Sequence, residues 1–150
     1  MHIWVDADAC PRPVKEVLYR AAQKRQVHVT LVANQYLSVP KSPYLQAVQV
    51  AKGFDVADNE IVQRVAPGDT VITADIPLAD EVISKGAVVV NPRGMAYTAA
   101  NIKDHLQRRD MMEQLRDTGM VSGGPPRYDK QDLSAFANAL DRLITRAQQA

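Results

Sequence analysis

Short apolar runs and helix-patterned stretches take turns along this chain, and that alternation restricts the fold more than any single motif. Residues 2–6 (HIWVD) are a β-branched, aromatic run of strand length, and 27–33 (VHVTLVA), 70–73 and 87–90 repeat the pattern. Residues 46–50 alternate weakly, as an edge strand does. Helical signals lie between these runs. Pro11 and Pro13 open the first, where a missing N–H is no loss. Val14, Val17, Leu18, Ala21 and Ala22 then share one face. Residues 58–65 turn Ile61, Val62 and Val65 inward, and Pro77 opens a helix through Lys85 that Gly86 ends.

Strands spaced by helices in this way call for a parallel sheet covered on both faces. The expected class is α/β, a three-layer α/β/α arrangement with about four to five mostly parallel strands. Thr98 caps a helix to about Arg116. There Ile102 and Leu106 do not share a face with Met111, Met112 and Leu115, which predicts a bend or packing on two sides. After the breaker 122–126 (SGGPP), Leu133, Phe136, Ala137, Leu140, Leu143 and Ile144 form one stripe on a last helix, about 129–148. The 150 residues suit one domain, with that helix packed on it. The polar loop 34–44, with Pro40 and Pro43, is long enough to have a role beyond connection.

Charge is balanced in total, at +1, but sorted along the chain. Residues 54–84 carry seven acids against Arg64 alone, and 85–116 carry six bases against three acids. The total excludes an indiscriminate polyanion binder. One cysteine, Cys10, excludes an internal disulfide and a cysteine-based zinc site. With no partner histidine in evidence, Cys10 reads as a packing or capping residue, and His2, His28 and His105 as core-edge or surface residues. Two aspartates among the first ten residues, and no apolar run long enough to span a bilayer, point to a cytoplasmic protein without a membrane partner.

In an open parallel sheet, ligands bind beyond the carboxyl ends of the strands. Asp6 closes the first strand and Asp8 follows. Asp75 follows the strand TVIT, and Asp80 lies about one helical turn further on. Asp58 shares the inward face of Ile61, Val62 and Val65. Each has an ordinary use: Asp8 and Asp58 as caps, Asp75 and Asp80 at a helix start, Asp80 paired with a lysine. Together they would repel one another unless a divalent cation joined them. Oxygen ligands without His or Cys suit Mg2+ or Mn2+, and such an ion serves phosphoryl chemistry. Neither phosphate-binding glycine motif, G-x-x-x-x-G-K-[ST] or G-x-G-x-x-G, is present.

IWVDADACP, GFDVADNEIV, GDTVITADIPLADEVISKGA and NPRG with the threonine after it resemble the YaiI/YqxD-like bacterial family across almost the whole chain. That family is in turn similar to the PIN-like superfamily of metal-dependent ribonucleases, including its NYN branch. This second resemblance implies a PIN-like fold, with Asp6 as the acid ending strand one and Asp58 as the acid of a middle helix. Asp75 in Thr73-Ala74-Asp75 matches the T-x-D step. Asp80 stands for the fourth acid at a spacing that departs from T-x-D-x-[DN], and Asp8 is an addition that could compensate.

The leading expectation is therefore a Mg2+- or Mn2+-dependent ribonuclease-like phosphodiesterase using Asp6, Asp8, Asp58, Asp75 and Asp80. Arg93, Lys103, Arg108 and Arg109 would meet the phosphate backbone of single-stranded RNA, with Lys41 and Tyr36 gripping the strand from the long loop. Two alternatives stand beside it. One is a catalytically silent PIN-like module that binds RNA or protein. The other is a haloacid-dehalogenase-like phosphatase, since Asp6-Ala7-Asp8 resembles its D-x-D and would make Asp6 a nucleophile.

Overall fold

The computed structural model describes residues 1–120 and 126–149. In chain order the elements are β1 (His2–Asp6), α1 (Arg12–Arg25), β2 (His28–Ala33), β3 (Leu45–Gln49), α2 (Val56–Arg64) and β4 (Thr70–Ile72). They continue with α3 (Ile76–Ser84), β5 (Val88–Val90), β6 (Ala96–Tyr97), α4 (Ile102–Asp117) and α5 (Lys130–Gln149). The strands form one six-stranded sheet in the order β3-β2-β1-β4-β5-β6, parallel except for β6. The α/β class and the mostly parallel sheet are as expected. The strand number is not, because the two-residue β6 returns antiparallel from the Asn91–Gly94 turn and gives too short a run to read as a strand.

Period-two alternation assigns each strand residue to a layer. Ile3, Val5, Leu31, Ile72 and Val90 pack with Val14, Leu18 and Ala22 of α1 and Phe136, Leu140 and Ile144 of α5. Trp4, Val32, Val71 and Val89 pack with Ile61 of α2, Leu78, Ala79 and Val82 of α3, and Ile102 of α4. The sheet is therefore covered on both faces, by α1 and α5 on one and α2, α3 and α4 on the other. At the amino edge, the buried Asp69 carboxylate accepts from the His2 N–H at 3.1 Å, the Trp4 indole at 3.0 Å and the Ala66 N–H at 2.9 Å, so it is structural.

Three local expectations need correction. Residues 58–65 form a helix that begins two residues earlier, at Val56. Thr98 does not cap α4 directly; it exchanges hydrogen bonds with Asn101 across a preceding turn, and the helix starts at Ile102. Nor does α4 pack on two sides, because Ile102 is its one buried residue and Met111, 60 % exposed, faces water. The SGGPP breaker lies outside the described residues except for Pro126.

Candidate carboxylate site

The connection after β1 climbs to α1 on one face of the sheet, and that after β4 climbs to α3 on the other. Diverging connections on adjacent parallel strands leave a crevice beyond their carboxyl ends, the switch point where α/β sheets bind ligands. Asp6 and Asp75 flank it. Asp6 lies two residues beyond Trp4 and shares its face, towards α2 and α3. Thr73 stands likewise two residues beyond Val71, and its hydroxyl donates to Asp6 Oδ2 at 2.9 Å. The same Oγ1 accepts the Asp75 N–H at 3.0 Å, and Asp75 Oδ1 caps α3 by accepting the Leu78 N–H at 3.1 Å. From α2, Asp58 is presented in the first turn, three residues ahead of buried Ile61.

The electrostatics bind these three carboxyls into one group. Burial foremost, then the charges of Asp75 and Asp6, a hydrogen bond with Asp75 and the charge of Asp55 push Asp58 up to about 7. Asp6 is raised as well, mainly by burial and further by Asp75 and Asp8, against the opposing Thr73 hydrogen bond. No lysine or arginine is bonded to Asp6, Asp58 or Asp75 among the described residues. Nor, among them, do three His, Cys, Asp or Glu side chains stand close enough to hold a metal ion as they are.

The other two acids are used differently. Asp8 Oδ2 accepts the Asn34 N–H at 2.9 Å, which ties the start of the 34–44 loop to the end of β1. Asp80 accepts from Lys103 Nζ at 3.0 Å across the α3–α4 contact. That bond also occupies Lys103. Arg93 is fixed on α5: its guanidinium bonds Asp132 at 2.8 Å and the Pro126 carbonyl, and lies 5.6 Å from the Tyr128 ring centroid. Arg109 pairs loosely along α4 with Asp110 and Glu113, while Arg108, Lys41 and Tyr36 are exposed. Cys10 is buried, and burial pushes its thiol up to about 12.

A sequence profile described as "Uncharacterized BCR, YaiI/YqxD family" matches residues 4–146. The chain belongs to this family. Its relatives include a UPF0178 protein of Shewanella amazonensis, 62 % identical over 97 % of this chain and 98 % of its own length. Those of Cellvibrio japonicus and Hydrogenovibrio crunogenus are 59 % and 57 % identical, each over 97 % of both chains. No solved structure matches. The profile and these relatives show the YaiI/YqxD family and give no support to the expected resemblance to PIN-like nucleases. Among the described residues no helix is long and apolar enough to cross a membrane.

One exposed residue escaped the reading of the sequence. Phe54 stands 94 % exposed four residues before Asp58, whereas the second phenylalanine, Phe136, is wholly buried. Its signal was the turn-forming Gly53 and Asp55 on either side, which make a helical or core position unsuitable.

Proposed function

We propose that this chain is a Mg2+- or Mn2+-dependent phosphodiesterase that cleaves single-stranded RNA at Asp6, Asp58 and Asp75. The observation that carries this reading is the hydrogen-bond chain Asp6–Thr73–Asp75 at the switch point, with Asp58 of α2 near enough to feel both charges and no lysine or arginine bonded to the three among the described residues. Like charges this close oppose ionisation, and a divalent cation relieves that opposition. Mg2+ keeps several waters and needs only one or two protein carboxylates, so Asp6 and Asp75 would suffice to hold it. When bound, the ion supplies neutralising charge at the phosphate and a water of lowered pKa.

The protein's own share of the chemistry is positional. The Thr73 hydroxyl fixes Asp6, and the Leu78 N–H fixes Asp75. With the ion held by Asp6 and Asp75, Asp58 would be left as the group that takes a proton from the attacking water and returns it; burial raises its carboxyl to about 7, and the ion's charge would lower it from there. Water attacks phosphorus, the bond to the leaving oxygen breaks, and that oxygen takes up a proton. Asp8 adds charge beside Asp6 from its bond to Asn34, and Asp80 would have to leave Lys103 to take part. The test is incubation of the purified protein with end-labelled single-stranded RNA and Mn2+. Cleavage by wild type, lost in Asp6→Asn and Asp75→Asn, is expected; equal cleavage by all three, or none by wild type, defeats the reading.

The want of a close three-ligand group favours one second reading, a module that binds RNA without turnover. Binding that weakens steeply with salt, with no cleavage under any divalent ion, would select it.

A further inference from the structure

A phenylalanine almost wholly in water is unusual, and it is the more so on a backbone that holds it there. Phe54 sits between Gly53 at φ +153° and Asp55 at φ +62°, the second a left-handed conformation that a non-glycine residue adopts at a cost. Gly53 cannot carry a side chain without strain, since a Cβ there would come within 3.0 Å of Val56 Cγ2. Beneath this loop is a recess of about 390 Å3 between the end of β3 and α2, flanked by Ala51 and Val56. Its polar lining includes the amides of Gln49, Asn59 and Gln63, none hydrogen-bonded through its side chain to another described residue, and Glu60, which pairs with Arg64 at 3.4 Å.

We propose that Phe54 is a stacking platform for a nucleobase of single-stranded RNA, and that the amide-lined recess of Gln49, Asn59 and Gln63 reads the edge of the base lodged beside it. The proposal rests on the phosphodiesterase reading for its choice of RNA and gives that site a substrate-positioning element. An aromatic face accepts any base, and side-chain amides offer both a donor and an acceptor to a base edge. Unpaired strands alone expose both the face and the edge of a base. Asn59 and Asp58 are consecutive in the first turn of α2 and about 100° apart around it, so a base held here and a phosphate at the carboxylates would lie on neighbouring faces of the same turn. Neither the ring nor the amides carry charge, so the contact survives in an acidic segment that repels phosphate.

The experiment measures the anisotropy of a fluorescein-labelled single-stranded RNA decamer with the full chain in Ca2+ buffer. Phe54→Ala is expected to weaken binding about fivefold to a hundredfold, the range of one lost base–aromatic stack. Phe54→Trp should retain affinity and show its emission quenched on binding, and Phe54→Leu should behave like Ala. Equal affinity of Phe54→Leu and wild type, equal binding of an abasic decamer, or no binding by wild type overturns the proposal. So does preferential capture of a poly-glutamate peptide. Asn59→Leu should flatten the preference among homopolymers, and an unchanged preference refutes the recess. Phe54-dependent binding without cleavage upholds this inference and defeats the nuclease reading; cleavage by wild type with Phe54→Ala unchanged in KM does the reverse.

Discussion

The Thr73 hydroxyl donates to Asp6 Oδ2 at 2.9 Å, and the same oxygen accepts the Asp75 N–H at 3.0 Å. One side chain thus couples the carboxyl end of β1 to the start of α3, across the crevice where the two connections part. Thr73→Val keeps the shape and removes both bonds. It should destabilise the protein by about 1–3 kcal/mol in urea unfolding, since the Asp75 N–H is left without its partner. The Asp6 carboxyl should titrate still higher by NMR, because the Thr73 hydroxyl is the influence that lowers it. An unchanged Asp6 titration would show that this bond does not form in solution.

Asp58 makes stability depend on pH in an unusual direction. Its folded-state pKa, about 7, lies above the ordinary 3.8, so the folded protein binds this proton more tightly than the unfolded chain does. Its contribution is full below about pH 4 and is lost as pH rises towards 7. Asp58→Asn should flatten the fall of the urea midpoint between those values and leave the variant the more stable at pH 8. A wild-type midpoint that does not decline relative to Asp58→Asn across that window contradicts the clustering of the three carboxyls.

Divalent metal should act on the same group. Saturating Mn2+ at pH 7.5 should raise Tm, with stabilisation of about 2.7 kcal/mol at a hundredfold excess over Kd. The rise should disappear in the Asp6→Asn/Asp75→Asn double variant. A rise that the double variant retains would move metal binding elsewhere in the molecule.

Gly94 decides how α5 docks. Its φ is +87°, and a Cβ would stand 2.6 Å from the backbone carbonyl of Ala135. Gly94→Ala should therefore lose about 2 kcal/mol or more in urea unfolding, from backbone strain and displacement of α5. Arg93→Ala, which removes the bonds to Asp132 and Pro126, should give a smaller loss, about 1–2 kcal/mol.

Cys10 should be inert in the native protein. With its thiol pushed up to about 12 by burial, the thiolate is scarce at pH 8, and a disulfide reagent should react at least about a hundredfold slower than after unfolding. Rapid native-state labelling would show the β1–α1 loop to be open.

What could be read from the sequence follows from periodicity. Trp4 and Asp6 share a face because side chains alternate along a strand, and Asp58 shares one with Ile61 and Val62 because they lie three and four residues apart on a helix. Those rules set Asp6, Asp58 and Asp75 towards one edge before any strand order is known. The remaining acids depend on partners far along the chain. Asp8 meets Asn34, which its local pattern does not signal; Asp80 pairs with a lysine as expected, but that it is Lys103 is set by the packing of α4 on α3.

The sequence by itself determined the α/β alternation, the strands that bear the core, and membership of the YaiI/YqxD family over residues 4–146. Tertiary structure alone decided that β1 and β4 are neighbours, that α4 points its methionines outward, and that Phe54 is in water while Phe136 is in the core. The reason is physical. Hydrophobic periodicity is a local property of successive residues, whereas strand order, ion pairing and exposure are settled by which distant surfaces pack together, and two phenylalanines identical in chemistry carry no mark of which surface will cover them.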